Sequence, residues 1–415
     1  MTKNRIYVAS SAVVAVTLQA LLVSACSSHS TEPMPSTEAV ETTEPQGSAP
    51  SPEVDASSPD AADTSTKTKS TPVVDPPAPT PAPSPTPAPS PTPAPSPTPV
   101  TPTGTMPFRG VNLAGGEFGT AIPGVDGVDY TFPNNAEIDY FVAKGMNTFR
   151  IGFRWERLQP QANGEFVAAY AAHLDSLIAH ATEKKVFAIL DPHNFARYYD
   201  NTIGSASVPN SVFADFWRRL ALRYKDNPYV MFNLVNEPHD ISTEVWVSAA
   251  NDAIAAIRAA GATNTILAPG NAWTGAYDWT QNWYGTSNSV AMLNLRDPLD
   301  NTLFEVHQYL DASFGGGGEC VSRTIGSERI KGFVGWLRDN GKKGFLGEFA
   351  GINSTTCQAA VNDMLTFAMQ NADVLEGWLW WAAGPGWGDY SLSIEPKNGV
   401  DRPQMNWLTP FLTRG

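Results

Sequence analysis

Two glutamates stand where reactive carboxylates are expected. Glu237 follows Asn236 directly after the apolar run Val230–Val235, and Glu348 stands next to the end of the run Lys343–Phe349. Other apolar runs finish in a similar way, with Arg150, His193, the pair His307 and Tyr309, and Trp381 at or near their C-terminal ends. A polar group in such a place is costly to bury unless it is paired or useful. For any one of these residues a rim ion pair or a strand cap is an equally good account, but it is a poor account of all of them converging. Two carboxylates at one site suit cleavage of a glycosidic bond. One must be protonated to donate to the leaving oxygen, and the other ionised to attack the anomeric carbon. A separation of about 5–5.5 Å would give retention of configuration, and a wider gap inversion.

The elements that must position these groups alternate along the chain after Met106. Strands are predicted over Phe108–Leu113, Asn147–Phe153, Val186–Pro192, Val230–Val235, Thr265–Ala268, Thr302–Gln308, Lys343–Phe349 and Glu376–Trp381. Helical periods occupy Ala136–Ala143, Val167–Lys184, Ser211–Tyr224, Thr243–Ala260, Ser327–Asn340 and Thr355–Asn371, with Gly145 and Gly261 placed as terminating glycines. Eight strands with helical crossovers in about 310 residues predict an α/β fold, a (β/α)8 TIM barrel. On that fold reacting groups gather at the C-terminal strand ends, and the fourth and seventh strands face each other across the mouth. The stretch Asn271–Pro298, rich in Trp, Asn and Gly, breaks the rhythm and is expected to be a long binding loop.

The rest of the chain is built differently. All 12 Trp fall after Met106, and no Phe, Trp or Tyr occurs between Cys26 and Met106. Such a segment cannot bury enough apolar area to offset its ordering entropy. Three regions follow: a signal peptide over 1–25, a lipidated Cys26 with a disordered Ser/Thr/Pro-rich linker over 26–105, and the catalytic TIM barrel over 106–415. Lys3 and Arg5 precede the apolar run Ile6–Val23. The following Ser24-Ala25-Cys26 completes a pattern that resembles a bacterial lipobox, whose Cys is acylated; an ordinary secretory signal with an incidental Cys is the alternative. From Pro76 a Pro-Thr-Pro-Ala-Pro-Ser repeat favours extended polyproline II, at ~3.1 Å per residue a spacer of roughly 75 Å. The expected location is outside the cytoplasm, anchored by lipid at the cell surface or outer membrane or released from it. Cys320 and Cys357 suggest one disulfide in an exported chain, two buried free thiols being the alternative.

Of the net charge of -14, Lys3 and Arg5 contribute +2 and residues 27–105 contribute -7, which leaves -9 on the folded part. A domain this acidic has no electrostatic footprint for nucleic acid or anionic lipid, so a neutral substrate is expected and membrane contact only through the anchor. The chain is expected to be a monomer. The six His are scattered and suggest no metal site. Gly315–Gly318 lies in a loop, not after a strand, and no organic cofactor is expected.

The strings FRIGFRWERLQP, LDPHNFARY, FNLVNEPHD, VHQYLD, FLGEFAG and WLWWAAG resemble glycoside hydrolase family 5. DPHNFARY, NEPHD and HQYLD followed by Cys320 are most similar to its subfamily 5 endoglucanases. The resemblance spans nearly all of 106–415. It implies a retaining endo-β-1,4-glucanase acting on cellulose or soluble β-1,4-glucan through a covalent glycosyl-enzyme. Glu237 is then the acid/base and Glu348 the nucleophile. Arg150 and Tyr309 would hold Glu348 ionised, lowering its pKa by charge and hydrogen bonding. His193 and Asn236 would bind hydroxyls of the sugar at the cleavage point, and His307 would orient Glu237 or a hydroxyl. Trp381 would form the floor beneath that sugar, and Trp273 matches a second stacking platform.

Trp155, Trp279, Trp283 and Trp387 suit either outer sugar platforms or packing. His239 and Asn194 are expected to support the site from behind and Asp191 to be structural, while Glu395 matches an acidic position near the family's C-terminal loop, with sugar contact as the alternative to a structural role. Two other functions compete. The same machinery serves other β-linked polymers (mannan, xyloglucan, mixed-linkage glucan), since specificity lies in loops. A non-catalytic glycan-binding lipoprotein would need the aromatic platforms but not two opposed carboxylates with an Arg–Tyr support.

Overall fold

Successive side chains of a strand point to opposite faces, so a barrel strand packs one set against its helices and sends the other into the interior. A computed structural model, which describes residues 106–412, shows this alternation in a closed barrel of eight parallel strands. They are β1 (Phe108–Gly116), β2 (Thr148–Phe153), β3 (Phe187–Pro192), β4 (Val230–Asn233), β5 (Ile266–Pro269), β6 (Thr302–His307), β7 (Gly344–Phe349) and β8 (Leu375–Ala383). β8 closes on β1 through pairs such as Gly110 with Leu379. The expected signal peptide, Cys26 and linker lie outside the described residues.

The interior has two layers of opposite character. Toward the N-terminal ends, Ile189, Met231, Leu267, Leu303, Phe345 and Leu379 form an apolar cluster with Phe108 and Phe187 packed on it. Two residues further along the same strands come Asp191, Asn233, Glu305 and Trp381, and His307 two beyond Glu305. The apolar floor thus supports a polar layer at the mouth. A larger cluster, including Trp155, Trp217, Trp246 and Trp378, all at most 1% exposed, fills the space between strands and helices. Burying one such side chain stabilises by roughly 1.5–3 kcal/mol.

The helices begin and end where side chains can satisfy their free backbone groups. Asn134 and Glu137 form a capping box at Asn135–Ala143, and Ser354 accepts from the Cys357 N–H at Thr355–Gln370. Gly145 and Gly261 take positive φ just past their helices, as expected. Cys320 and Cys357 form a disulfide with Cα atoms 5.1 Å apart, tying the loop after β6 to that last helix.

The structure adds elements that the pattern did not reveal. β4 stops at Asn233 instead of Val235, because the chain turns there and Asn236 N–H bonds Pro192 O across to the end of β3. Trp155–Leu158 is one helical turn, and Arg197–Tyr198 pairs with Asn201–Thr202 in a hairpin after β3. The long loop holds a turn of helix over Asn288–Ala291. Pro403–Leu412 forms a final helix despite Pro410, burying Met405, Trp407, Leu408, Phe411 and Leu412.

Candidate active site

Arg150, near the middle of β2, organises the polar layer. It is 1% exposed, and its side chain reaches four strands. Nη1 donates to Asn112 Oδ1 and Glu348 Oε1, both at 2.8 Å, and Nη2 donates to Asn236 Oδ1 at 2.7 Å. Asp191 Oδ1 lies 3.1 Å from Nη2, and Glu305 Oε1 lies 3.5 Å from Nε. Burial penalises this charge, but Asp191, Glu305 and Glu348 outweigh the penalty and hold the guanidinium protonated beyond its ordinary range. Asn112 is fixed in turn by donating to Gly347 O and Trp380 O.

Glu348 is enclosed by donors. Besides Arg150, the Tyr309 hydroxyl donates to its Oε2 at 2.8 Å, and His307 Nδ1 lies 3.5 Å from the same oxygen. Burial and the neighbouring Glu348 push the Tyr309 hydroxyl well above its usual range, so it remains a donor. Burial also raises the Glu348 carboxyl, while His307 and Arg150 pull it down. Arg150 acts in the direction the resemblance implied, but desolvation is larger and the net direction is upward.

Glu237 follows the turn after β4 with a left-handed backbone, φ 42°. Its Oε1 lies 2.8 Å from His307 Nδ1. Burial works against a charged His307 ring, yet Glu348, Glu237 and Glu305 raise it to about 10. As an imidazolium it donates from Nδ1 to Glu237, with Glu305 Oε1 3.5 Å behind its Nε2. One oxygen of each glutamate and a nitrogen of His307 all lie within 4.8 Å of one another.

His193 closes the side toward β3. Its Nδ1 is 2.8 Å from Asp191 Oδ2, which fixes the ring and leaves Nε2 for a ligand. Burial lowers its pKa, but Asp191, Glu117 and Glu348 together outweigh burial and the net shift is upward. Asp191 is fully buried and holds both Arg150 and His193. The Trp381 ring lies nearly parallel to His193, centroids 5.4 Å apart. With Oδ1 held by Arg150, Asn236 keeps a buried Nδ2 with no protein partner. All these side chains border or underlie one cleft of about 770 Å³.

The outer aromatics separate. Trp273 (47% exposed) and Trp283 (60%) line the cleft, whereas Trp155 and Trp279 are core. Trp387 stacks on Tyr390 and meets Trp381 edge-on. His239 stacks under Trp273 at 4.4 Å, and Asn194 accepts from Trp155 N–H and donates to Glu156, both behind the cleft. Glu395 accepts from Gly384 N–H at 3.0 Å and serves the turn after β8.

Sequence reasoning did not single out Asn112, Glu305, Phe195, Tyr277, Asp278, Tyr284, Phe314 or Tyr390. Glu305 carried a usable signal, because it precedes His307 by two residues in one strand and must share its face. The cleft aromatics after β5 and β6 carried none, since loop geometry decides which of them turn inward.

The model of the family described as Cellulase (glycosyl hydrolase family 5) matches residues 106–384. A probable endo-β-1,4-glucanase B of Aspergillus niger is 46% identical over 293 residues, covering 70% of this chain and 86% of that protein. Endoglucanase 3 of Humicola insolens is 43% identical, covering 74% and 77%. Among solved structures, XacCel5A in complex with cellopentaose aligns with TM-score 0.72 at 45% identity, covering 74% of this chain and 99% of that one. Pseudomonas stutzeri endoglucanase Cel5A in complex with cellobiose aligns with TM-score 0.68 at 33% identity, covering 76% and 95%.

Proposed function

The chain belongs to glycosyl hydrolase family 5, and from that membership we propose how its cleft cuts β-1,4-glucan: with retention, Glu348 attacking and Glu237 handling the proton. The activity itself is that of an endo-β-1,4-glucanase, as in the Aspergillus and Humicola relatives. The observation that carries the mechanism is the short span between the two glutamates, one oxygen of each lying within 4.8 Å of the other. That gap suits direct attack by a carboxylate and is short of the roughly 6.5–9.5 Å that an inverting pair keeps for a water.

In the first step Glu348 Oε attacks the anomeric carbon as the glycosidic C–O bond breaks. Glu237 gives its proton to the departing oxygen, so the negative charge passes from Glu348 to Glu237. His307, a cation within 3.5 Å of both carboxylates, stabilises the charge before and after this transfer. In the second step Glu237 takes a proton from water, whose oxygen attacks the same carbon and releases Glu348. Trp381 offers an apolar face to the sugar, while His193 Nε2 and the open Asn236 Nδ2 can bind its hydroxyls.

Proton NMR of the first products from cellohexaose tests this: the newly formed reducing end should appear as the β anomer before mutarotation. Initial formation of the α anomer would exclude the double displacement. Initial rates on carboxymethylcellulose should exceed those on galactomannan; the reverse order would reassign the polymer.

A further inference from the structure

The long loop after β5 holds a carboxyl that the reaction described above does not use. Asp278 lines the cleft but is only 5% exposed, and its Oδ1 has no hydrogen-bond partner in the protein. Gly275 leaves room for that oxygen, since a Cβ there would stand 2.4 Å from Oδ1. Burial raises the carboxyl to about 7, with Trp283 and Tyr277 offsetting part of the rise. A buried carboxyl with an oxygen left unpartnered is unfavourable, and Asp278 borders the cleft, from which a ligand can offer this carboxyl a partner.

The loop's position shows which part of a substrate would arrive there. Trp273, on the same loop, donates its N–H to Pro238 O at 3.0 Å, one residue beyond Glu237. Its ring stacks on His239, whose Nδ1 lies 3.0 Å from Glu237 O. The loop is therefore built against the segment that carries Glu237, whereas Trp381 stacks with His193 at the end of β3. A sugar that departs with the Glu237 proton leaves past the loop.

We propose that Asp278 binds a hydroxyl of the sugar on the leaving-group side and thereby favours substrates that extend beyond the cleavage point. This rests on the reading of Glu237 as the acid. A neutral carboxyl can donate to and accept from a sugar hydroxyl, and an ionised one accepts twice, so either form serves.

The test compares kcat/KM on cellohexaose with kcat/KM on an aryl cellobioside, whose leaving group has no sugar hydroxyls. Asp278→Leu keeps the branch at Cγ and removes the hydrogen bond. It should lower the cellohexaose value about tenfold with little change on the aryl substrate, and Asp278→Asn should restore most of the loss. An equal loss on both substrates would make Asp278 structural, and no loss on cellohexaose would remove the contact; either overturns the proposal. If the leucine protein does not fold, Asp278→Ala is judged by the same ratio. The acid role of Glu237 is decided separately by Glu237→Ala with Asp278 intact, so the two can fail independently.

Discussion

The two glutamates at the mouth live in different surroundings. Glu348 has a side chain 4% exposed, with Arg150 and Tyr309 donating to its two oxygens and His307 close to one. Glu237 has a side chain 16% exposed, bonds His307 through one oxygen, and sits on a left-handed turn. The contrast follows the work proposed for each. A nucleophile must be held at one position with its charge balanced, because a small misplacement weakens the attack. An acid/base must lose and regain a proton in each cycle, which a fully enclosed carboxyl does poorly.

Truncations measure that contrast most strongly. Glu348→Ala should lower turnover of polymer and aryl glycosides alike, by roughly 10⁴-fold or more, since no other group can form the bond. Glu237→Ala should lower polymer turnover by about 10²–10⁴ but spare the first step with aryl glycosides that have good leaving groups. On such substrates the glycosyl-enzyme should accumulate, seen as a pre-steady-state burst of released leaving group. The alkaline limb of its pH profile should vanish, because that limb reports loss of the acid's proton. Equal losses on both substrate types for the two variants would erase the distinction.

Tyr309→Phe addresses the enclosure of Glu348 alone. It removes a donor that favours the ionised form, so the carboxyl, already raised by burial, should rise further. The acid limb of kcat/KM should move to higher pH, with about a tenfold loss at the optimum. An acid limb that stays in place would mean that the hydroxyl does not tune this carboxyl.

Replacing both Cys320 and Cys357 by Ser should have the smallest effect on chemistry. Closing that loop is worth roughly 3–4 kcal/mol in a chain-entropy model, so thermal unfolding should move down while the pH profile keeps its shape. A changed pH profile would show that the bridge reaches the carboxylates.

Much of this arrangement was legible in the sequence, and for a physical reason. Asn236-Glu237, Glu348 and Trp381 directly follow or close apolar runs, where the change in polarity marks the strand end that opens on the mouth. The barrel was legible because strands buried on both faces read as short apolar runs between helical periods. Glu305 was overlooked although its place two residues before His307 sets its face, because a single charge inside a strand points to neither face on its own. Trp155 and Trp279 looked no different from Trp283, because a loop's path decides whether an indole is covered. The hairpin Arg197–Thr202 was too short to show a period, and Pro403 and Pro410 masked the final helix.

Small-nucleophile rescue tests the assignment of the two glutamates most directly. With azide and an activated aryl glycoside, Glu348→Ala should yield the α-glycosyl azide, because azide enters from the face the missing nucleophile vacated. Glu237→Ala should instead yield the β-glycosyl azide, formed when azide attacks the glycosyl-enzyme from the opposite face. Exchange of these two products between the variants would reverse the roles of Glu237 and Glu348, and near-native polymer turnover by either variant would contradict the two-glutamate mechanism.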